Sequence, residues 1–229
     1  MMNKQILLAL FALLLSTATT FGQSVNALTA QERAQGWQLV FDGKTLTGWH
    51  SSSTPVPAAP TPGQFGISTP CAAARPPSAA FPAGTSQWEV VNGLLTPCGD
   101  PAGYLISDQS YKNFALSIEF KTGADTNSGV FVRCPNQNGG YEVQIWKAQP
   151  AGYNTGAIVG TAKTARDYAF KGDQWNLFLI TADGDHLTVV LNGDTTLDVH
   201  DARFPEGNIR LQYQQFPIAF RNIKVRPLP

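Results

Sequence analysis

The stretch "GGYEVQIW", residues 139–146, has the alternating pattern of a β-strand. Successive side chains of a strand point to opposite faces of a sheet. One face would carry the side chains of Tyr141, Val143 and Ile145. The other face would carry those of Glu142, Gln144 and Trp146. An acid, an amide and an indole side by side resemble a sugar-binding surface, and this surface holds a single carboxylate.

The same alternation recurs along most of the chain. In "FALSIEFKT", residues 114–122, apolar side chains share one face and polar side chains share the other. Asn-Gly pairs at 92–93 and 192–193 predict tight hairpins, because both residue types tolerate positive φ. Helical periodicity is almost absent, apart from one short turn predicted at 29–35. Many short strands of this kind predict an all-β sandwich or barrel, and two stacked antiparallel sheets fit the pattern.

Composition narrows the class of protein. The 229 residues include 16 basic and 16 acidic side chains, so the formal net charge is zero. Nucleic-acid binding needs a basic stripe, which this sequence does not have, so no nucleic-acid partner is expected. A charged content of 14% with 21 glycines is typical of a β-rich secreted protein with tight turns.

The first 22 residues have the pattern of a secretory signal peptide. Lys4 provides the charged start, and Ile6–Leu15 form an apolar run of the length expected for the central region. This run is too short to cross a bilayer, and no longer apolar run follows it. We therefore expect a periplasmic or secreted protein without a membrane span, whose residues 23–229 form a single domain.

Residues 51–86 differ from the rest of that domain. They contain eight of the 16 prolines, together with much Ala and Ser. Proline cannot donate to a β-ladder, so this segment is predicted to be a long, irregular surface loop. A linker between two domains is the alternative interpretation.

The chain has three cysteines, Cys71, Cys98 and Cys134. An exported protein can keep a disulfide, and three cysteines allow three different single bridges. We favour Cys71–Cys98, because Cys71 lies in the proline-rich segment, which needs tethering. The spacings contain no close cysteine pair of the kind that zinc sites use.

Nine short segments follow one another in a specific order. They are "GWQLVFDGKTLTGWH" (36–50), "WEVVNGLL" (88–95), "GYLISDQSYKNFALSIEFK" (103–121), "NSGVFVR" (127–133), "GYEVQI" (140–145), "TGAIVG" (155–160), "QWN" (174–176), "LNG" (191–193) and "FRNIKV" (220–225). In this order they resemble the 3-keto-disaccharide hydrolase domain family. The resemblance implies a concanavalin A-like fold, a two-sheet antiparallel jelly-roll sandwich. It also implies hydrolysis of glycosides already oxidised at C3.

Three places depart from the family pattern, and one of them is the segment at 51–86, which is longer here than is usual in the family. Members often carry Asp directly after the "YEVQI" strand, where this chain has Trp146 and Lys147. Members often carry His on the "LQ" strand, where this chain continues as "LQYQQF", residues 211–216.

A 3-keto sugar needs fewer catalytic groups than an ordinary glycoside. The usual glycosidases use two carboxylates, whereas a carbonyl at C3 acidifies the proton on C2, so that one general base can start an elimination. Glu142 is the candidate base, and Arg133 is the candidate cation that stabilises the enolate or holds a hydroxyl. Candidate substrate-binding residues are Gln144, Trp146, Asn127, Gln212 and Lys163.

Other interpretations stay open. A divalent cation could replace Arg133 as the electrophile, although no cluster of ligands and no cofactor is evident. Glu119 could be a second carboxylate, or Glu142 could be an ordinary solvated strand residue. The chain could also be a lectin-like module that binds a glycan without cleaving it.

Overall fold

The computed structural model describes residues 24–52, 87–98, 103–123, 126–136, 139–147, 149, 151–168, 172–214 and 217–229. The predicted signal peptide at 1–22, Cys71 and all but the first two residues of the proline-rich segment at 51–86 lie outside these ranges. In the part of the chain that is described, no helix is long and apolar enough to cross a membrane.

One short helix, α1 (Ala30–Ala34), precedes the strands. The Thr29 hydroxyl accepts a hydrogen bond from the Glu32 amide, and the Glu32 carboxylate accepts one from the Thr29 amide. This reciprocal capping box explains why the helix begins there. Glu32 also pairs with Lys224 at 2.6 Å, which attaches the helix to the last strand.

Thirteen strands form the rest of the described part of the chain. In chain order they are β1 (Gln38–Leu39), β2 (Trp49–Ser51), β3 (Gln87–Val91), β4 (Leu94–Cys98), β5 (Gly103–Tyr111), β6 (Phe114–Thr122), β7 (Ser128–Cys134), β8 (Tyr141–Ile145), β9 (Asn176–Asp183), β10 (His186–Leu191), β11 (Asp194–His200), β12 (Gly207–Tyr213) and β13 (Ile218–Pro227).

The strands form two antiparallel sheets. The larger sheet has the order β11-β10-β9-β6-β13-β4-β3, with β1 paired to β13. The smaller sheet has the order β2-β5-β12-β7-β8. Strands β5 and β6 follow each other in the chain but belong to different sheets, so the turn at 112–113 passes from one sheet to the other. The predicted all-β, two-sheet jelly-roll sandwich is confirmed.

A single hydrophobic core lies between the sheets. Its members come from alternate positions of the strands, among them Leu116, Ile118 and Phe120 of β6 and Tyr141, Val143 and Ile145 of β8. The apolar face predicted for "GGYEVQIW" is therefore the core face. Alternation consequently places Glu142 and Gln144 on the outer face of the smaller sheet.

Local predictions agree with this architecture. Asn92 and Gly93 have φ of 52° and 79°, and Asn192 and Gly193 have φ of 53° and 94°. Positive φ at both positions is the geometry of a tight hairpin turn, and these turns join β3 to β4 and β10 to β11. The predicted helical turn at 29–35 is α1.

The cysteines occupy different environments. Cys98, at the end of β4, takes part in a disulfide. Cys134, at the end of β7, is a free and fully buried thiol. Burial raises the pKa of that thiol to about 12, so Cys134 stays protonated at physiological pH.

Candidate functional site

The candidate site lies on the outer face of the smaller sheet, where two rows of side chains cross the strands. In the first row Glu142 of β8 lies opposite Phe131 of β7, and Phe131 lies opposite Arg210 of β12. In the second row Gln144 lies opposite Gly129, and Gln212 lies opposite Tyr104 of β5. Side chains on facing positions of neighbouring strands are close enough to act together.

Glu142 is the acidic group of these rows. Its carboxylate forms no hydrogen bond or ion pair within the described residues. Burial raises the pKa of Glu142 from its ordinary value of 4.5 to about 7, because a charged carboxylate loses the stabilisation that water would give it. A carboxylate with a pKa near 7 is well matched to accept a proton at neutral pH.

Gly129 makes room for this carboxylate. A Cβ atom at position 129 would lie 3.0 Å from Glu142 Oε1 and 3.3 Å from the edge of the Phe131 ring. The Glu142 side chain therefore lies across β7, over the one residue that has no side chain. Gly129, one residue of the segment "NSGVFVR", therefore leaves the space that the Glu142 side chain occupies.

Gln212 of β12 and Tyr104 of β5 lie on the same face as Glu142, on the second and third strands from β8. The Tyr104 ring meets Phe131 edge-on with ring centroids 5.2 Å apart, and Gln212 lies opposite Tyr104. Gln212 Nε2 also donates to Gln214 Oε1 at 3.1 Å. Gln212 is 5% exposed, and its Oε1 is buried without a hydrogen-bond partner. A buried acceptor without a donor is costly.

The structure brings some of the other predicted binding residues to this region. Gln144 is buried, and its Oε1 accepts a hydrogen bond from the amide of Ile145 at 3.0 Å. Asn127 is buried directly before β7, beside the glycine that supports Glu142. Trp146 follows the last residue of β8 and is partly buried.

Arg133 does not join the site, contrary to the expectation that it stabilises the enolate or holds a hydroxyl. Its φ of 53° breaks the extended conformation and turns the side chain away from the outer face. The guanidinium is fully buried and donates to Lys112 O at 2.7 Å, Gly184 O at 2.6 Å and Asn113 Oδ1 at 3.2 Å. Arg133 therefore binds the backbone of two turns, which leaves it unsuited to contact a substrate.

Two further candidates make other contacts. Lys163 is exposed, with its Nζ 5.2 Å from the centre of the Tyr153 ring. Glu119 belongs to β6 of the larger sheet, where it pairs with Arg221 at 2.6 Å and accepts a hydrogen bond from Asn222. The idea that Glu119 is a second carboxylate beside Glu142 is therefore wrong, because the two acids lie on different sheets.

Sequence reasoning missed Arg210, Tyr104 and Phe131. Arg210 is 4% exposed, donates to the backbone carbonyl of Asn136, and lies 5.9 Å from the centre of the Tyr104 ring. Alternation along "RLQYQ" pairs Arg210 with Gln212 on one face and could have found it. Tyr104 and Phe131 were not detectable, because their proximity depends on the order of the strands in the sheet.

The described residues contain no group of three or more His, Cys, Asp or Glu side chains that could hold a metal ion. Glu142 has aromatic and amide neighbours instead.

Comparison with known proteins gives a consistent result. A 3-keto-alpha-glucoside-1,2-lyase-like domain matches residues 36–226. Among solved structures, a candidate glycosyl hydrolase from Parabacteroides distasonis aligns with a TM-score of 0.67 and 19% identity, over 90% of this chain and all of that one. A second candidate glycosyl hydrolase from the same organism aligns with a TM-score of 0.57 and 28% identity, over 62% of this chain and 90% of that one. The search of curated proteins found no match.

The sandwich fold and its acid–amide–aromatic face define a carbohydrate-active protein of glycosyl hydrolase-like or lectin-like type. The chain belongs to the 3-keto-alpha-glucoside-1,2-lyase-like domain family, also called the 3-keto-disaccharide hydrolase domain family, as its nine ordered segments indicate.

Proposed function

We propose that this protein hydrolyses 3-keto glycosides by elimination followed by hydration, with Glu142 as the general base. The observation that carries the proposal is the state of Glu142. It is a single, largely buried carboxylate with no ion-pair partner among the described residues, and its pKa is raised to about 7. A base with these properties can remove a proton that a neighbouring carbonyl has acidified.

Ordinary glycoside hydrolysis fits this face less well. It needs two carboxyl groups about 5 to 10 Å apart. Asp108 of β5 is exposed, lies four residues further along that strand than Tyr104, and pairs with His50 at 2.6 Å. In the row that crosses the sheet from Glu142, the facing residues on β7 and β12 are Phe131 and Arg210, and neither is a carboxylate.

The proposed reaction starts with transfer of the C2 proton to Glu142. The electron pair of the C2–H bond forms the enolate of the C3 ketone. Its collapse makes the C1–C2 double bond and breaks the bond from C1 to the leaving oxygen. Water then adds at C1 and loses one proton, which neutralises the departed alkoxide, and Glu142 returns its proton to C2. The side chains of Gln212 and Gln144 are suited to hold sugar hydroxyls, and Phe131 offers an apolar surface to the ring.

The proposal is tested by Glu142→Gln, which keeps the shape of the side chain and removes its basicity. Turnover of a 3-keto glycoside should fall by roughly 10² to 10⁴-fold, the usual contribution of a general base. Glu206→Gln makes the same chemical change at an exposed carboxylate and should keep full activity. In the parent protein, kcat/KM should rise with pH and level off above about pH 7, where Glu142 is ionised.

Two results would overturn the proposal. One is full activity of Glu142→Gln, which would place the base elsewhere. The other is equal cleavage of a plain glycoside and its 3-keto counterpart by the parent protein, because a plain glycoside has no acidified C2 proton.

A lectin-like function is the second candidate, favoured by the aromatic and amide groups around the carboxylate. A binding module would hold a glycan and its 3-keto form with similar affinity and release no product. Calorimetric titration combined with product analysis separates the two functions. Binding without turnover, unchanged by Glu142→Gln, would indicate the module.

We also propose that the protein is exported. The signal-like pattern at 1–22 supports this, and so does the disulfide at Cys98, since disulfides persist in oxidising compartments. Mass spectrometry of protein from the periplasm or medium should find a chain starting after residue 22 and a peptide joining Cys71 to Cys98. A full-length cytoplasmic chain with three reduced thiols would contradict the proposal.

A further inference from the structure

Tyr104 occupies the position on this face from which a proton could reach a ligand beside Glu142. It projects outward from β5, and Gln212 lies directly opposite it on β12. Its ring packs edge-on against Phe131, which in turn lies opposite Glu142. Tyr104 and Glu142 are also close enough that the charge of one affects the ionisation of the other.

The surroundings of Tyr104 act on its two protonation states in opposite ways. Burial, and then the negative charge of Glu142, raise the pKa of Tyr104, so the resting enzyme holds a neutral hydroxyl. The hydrogen bond from Gln212 and the positive charge of Arg210 lower that pKa. These two groups stabilise the phenolate that would remain if the proton were given away.

Resting on the proposed function, we propose that Tyr104 is the general acid that protonates the leaving oxygen as the bond from C1 breaks. The leaving oxygen takes the phenolic proton and departs as an alcohol, and Tyr104 becomes a phenolate held by Gln212 and Arg210. In the hydration step the phenolate takes a proton from water as the water oxygen bonds to C1. Both Glu142 and Tyr104 then regain their starting protonation states.

The two proton transfers assist each other. When Glu142 accepts the C2 proton it becomes neutral, which removes the negative charge that opposes ionisation of Tyr104. The proton arriving at Glu142 therefore makes it easier for Tyr104 to release its own. General acid assistance matters most for leaving groups that are poor as free anions.

The first experiment varies the leaving group in the variant Tyr104→Phe, which removes only the hydroxyl. Release of methanol from a methyl 3-keto glycoside should slow by roughly 10² to 10⁴-fold. Release of 4-nitrophenol from the matching aryl substrate should slow by about tenfold or less, because that anion needs no proton to depart. Tyr111→Phe is the matched control. Tyr111 belongs to the same strand but packs in the core against Phe114, so activity should be unchanged.

The second experiment isolates proton abstraction from bond cleavage. A 3-keto 1,5-anhydro sugar has no leaving group at C1, and exchange of its C2 hydrogen in deuterated water can be followed by NMR. The parent protein and Tyr104→Phe should exchange at similar rates, while Glu142→Gln should not exchange measurably.

The outcomes distinguish this inference from the proposed function. Equal slowing of both substrates by Tyr104→Phe, or loss of C2 exchange in that variant, would overturn the role as leaving-group acid. Absence of both exchange and cleavage in the parent protein would overturn the proposed function itself. Selective loss on the methyl substrate with exchange retained supports the assignment.

Discussion

At the scale of single residues, the decisive feature is a carboxylate held in an environment that disfavours its charge. Glu142 has aromatic and amide neighbours and no cationic partner among the described residues. Its pKa is consequently raised to about 7 by burial alone. Such a group costs stability when it is ionised, and functional sites commonly carry costs of this kind.

This cost leads to a prediction about stability and pH. The folded state binds the Glu142 proton more tightly than the unfolded state, whose carboxyl titrates near 4.5. The free energy of unfolding therefore falls as pH rises from 4.5 to 7, by on the order of 3 kcal/mol from this residue, and stays level above that range. Glu142→Gln does not titrate, so its stability relative to the parent should increase across this window and then remain constant.

Urea denaturation at a series of pH values measures the effect. Glu206→Gln serves as the control, since Glu206 is exposed and its replacement should leave the pH dependence unchanged. A difference between parent and Glu142→Gln that does not change between pH 4.5 and pH 8 would show that Glu142 has an ordinary pKa.

At the scale of elements, the site depends on how β7 and β8 pair. Gly129 lies opposite Gln144, and the side chain of Glu142 fills the space above it. A residue with any side chain at 129 would compete for that space. The positions of Glu142 and Gly129 therefore depend on each other, although 13 positions separate these residues in the sequence.

Gly129→Ala should consequently damage function more than stability. The added Cβ would lie 3.0 Å from Glu142 Oε1, the flexible end of a side chain, so the carboxylate can move away at little cost. Turnover of a 3-keto glycoside should fall by roughly tenfold or more, because a base displaced by about 1 Å loses its alignment. The melting temperature should change little.

Gly123→Ala is the control for this substitution. Its new Cβ would meet only Thr126 Oγ1 at 3.8 Å, an ordinary contact. Full activity of Gly129→Ala would mean that the Glu142 side chain has another productive position, and would remove the role assigned to this glycine.

At the scale of the whole molecule, Arg133 connects the two sheets. It belongs to β7 of the smaller sheet and donates to Lys112 in the turn between β5 and β6. It also donates to Gly184 in the turn between β9 and β10 of the larger sheet. A fully buried arginine that satisfies backbone carbonyls in this way stabilises the sandwich rather than a ligand.

Arg133→Met should therefore lower the free energy of unfolding by roughly 2 to 4 kcal/mol, because the charged hydrogen bonds that the buried arginine donates to the two turns are lost. KM for a 3-keto glycoside should stay the same in the variant that remains folded. Arg33→Met removes an exposed arginine from α1 and should be close to neutral. A large rise in KM without loss of stability would indicate that Arg133 contacts the substrate.

Much of the fold could be predicted from local pattern. Alternation in "FALSIEFKT" and "GGYEVQIW" depends only on the two-residue period of a strand, and the Asn-Gly turns depend only on which residues tolerate positive φ. Both operate within a few residues, so the sequence shows them directly. The same alternation placed Glu142 and Gln144 on the outer face.

The residues that share the outer face with Glu142 could not be predicted, because they are brought together only by the tertiary structure. Strand order places β12 beside β7 and β5 beside β12, so Tyr104, Arg210 and Phe131 meet residues far from them in the chain. The left-handed backbone conformation of Arg133 also turns its side chain away from the outer face, which overturns the prediction that Arg133 contacts the substrate. The sequence by itself thus determined the strands, their faces and the candidate base. Only the tertiary structure decided which aromatic, amide and guanidinium side chains share the outer face with that base, because long-range pairing and local backbone exceptions leave no periodic signal.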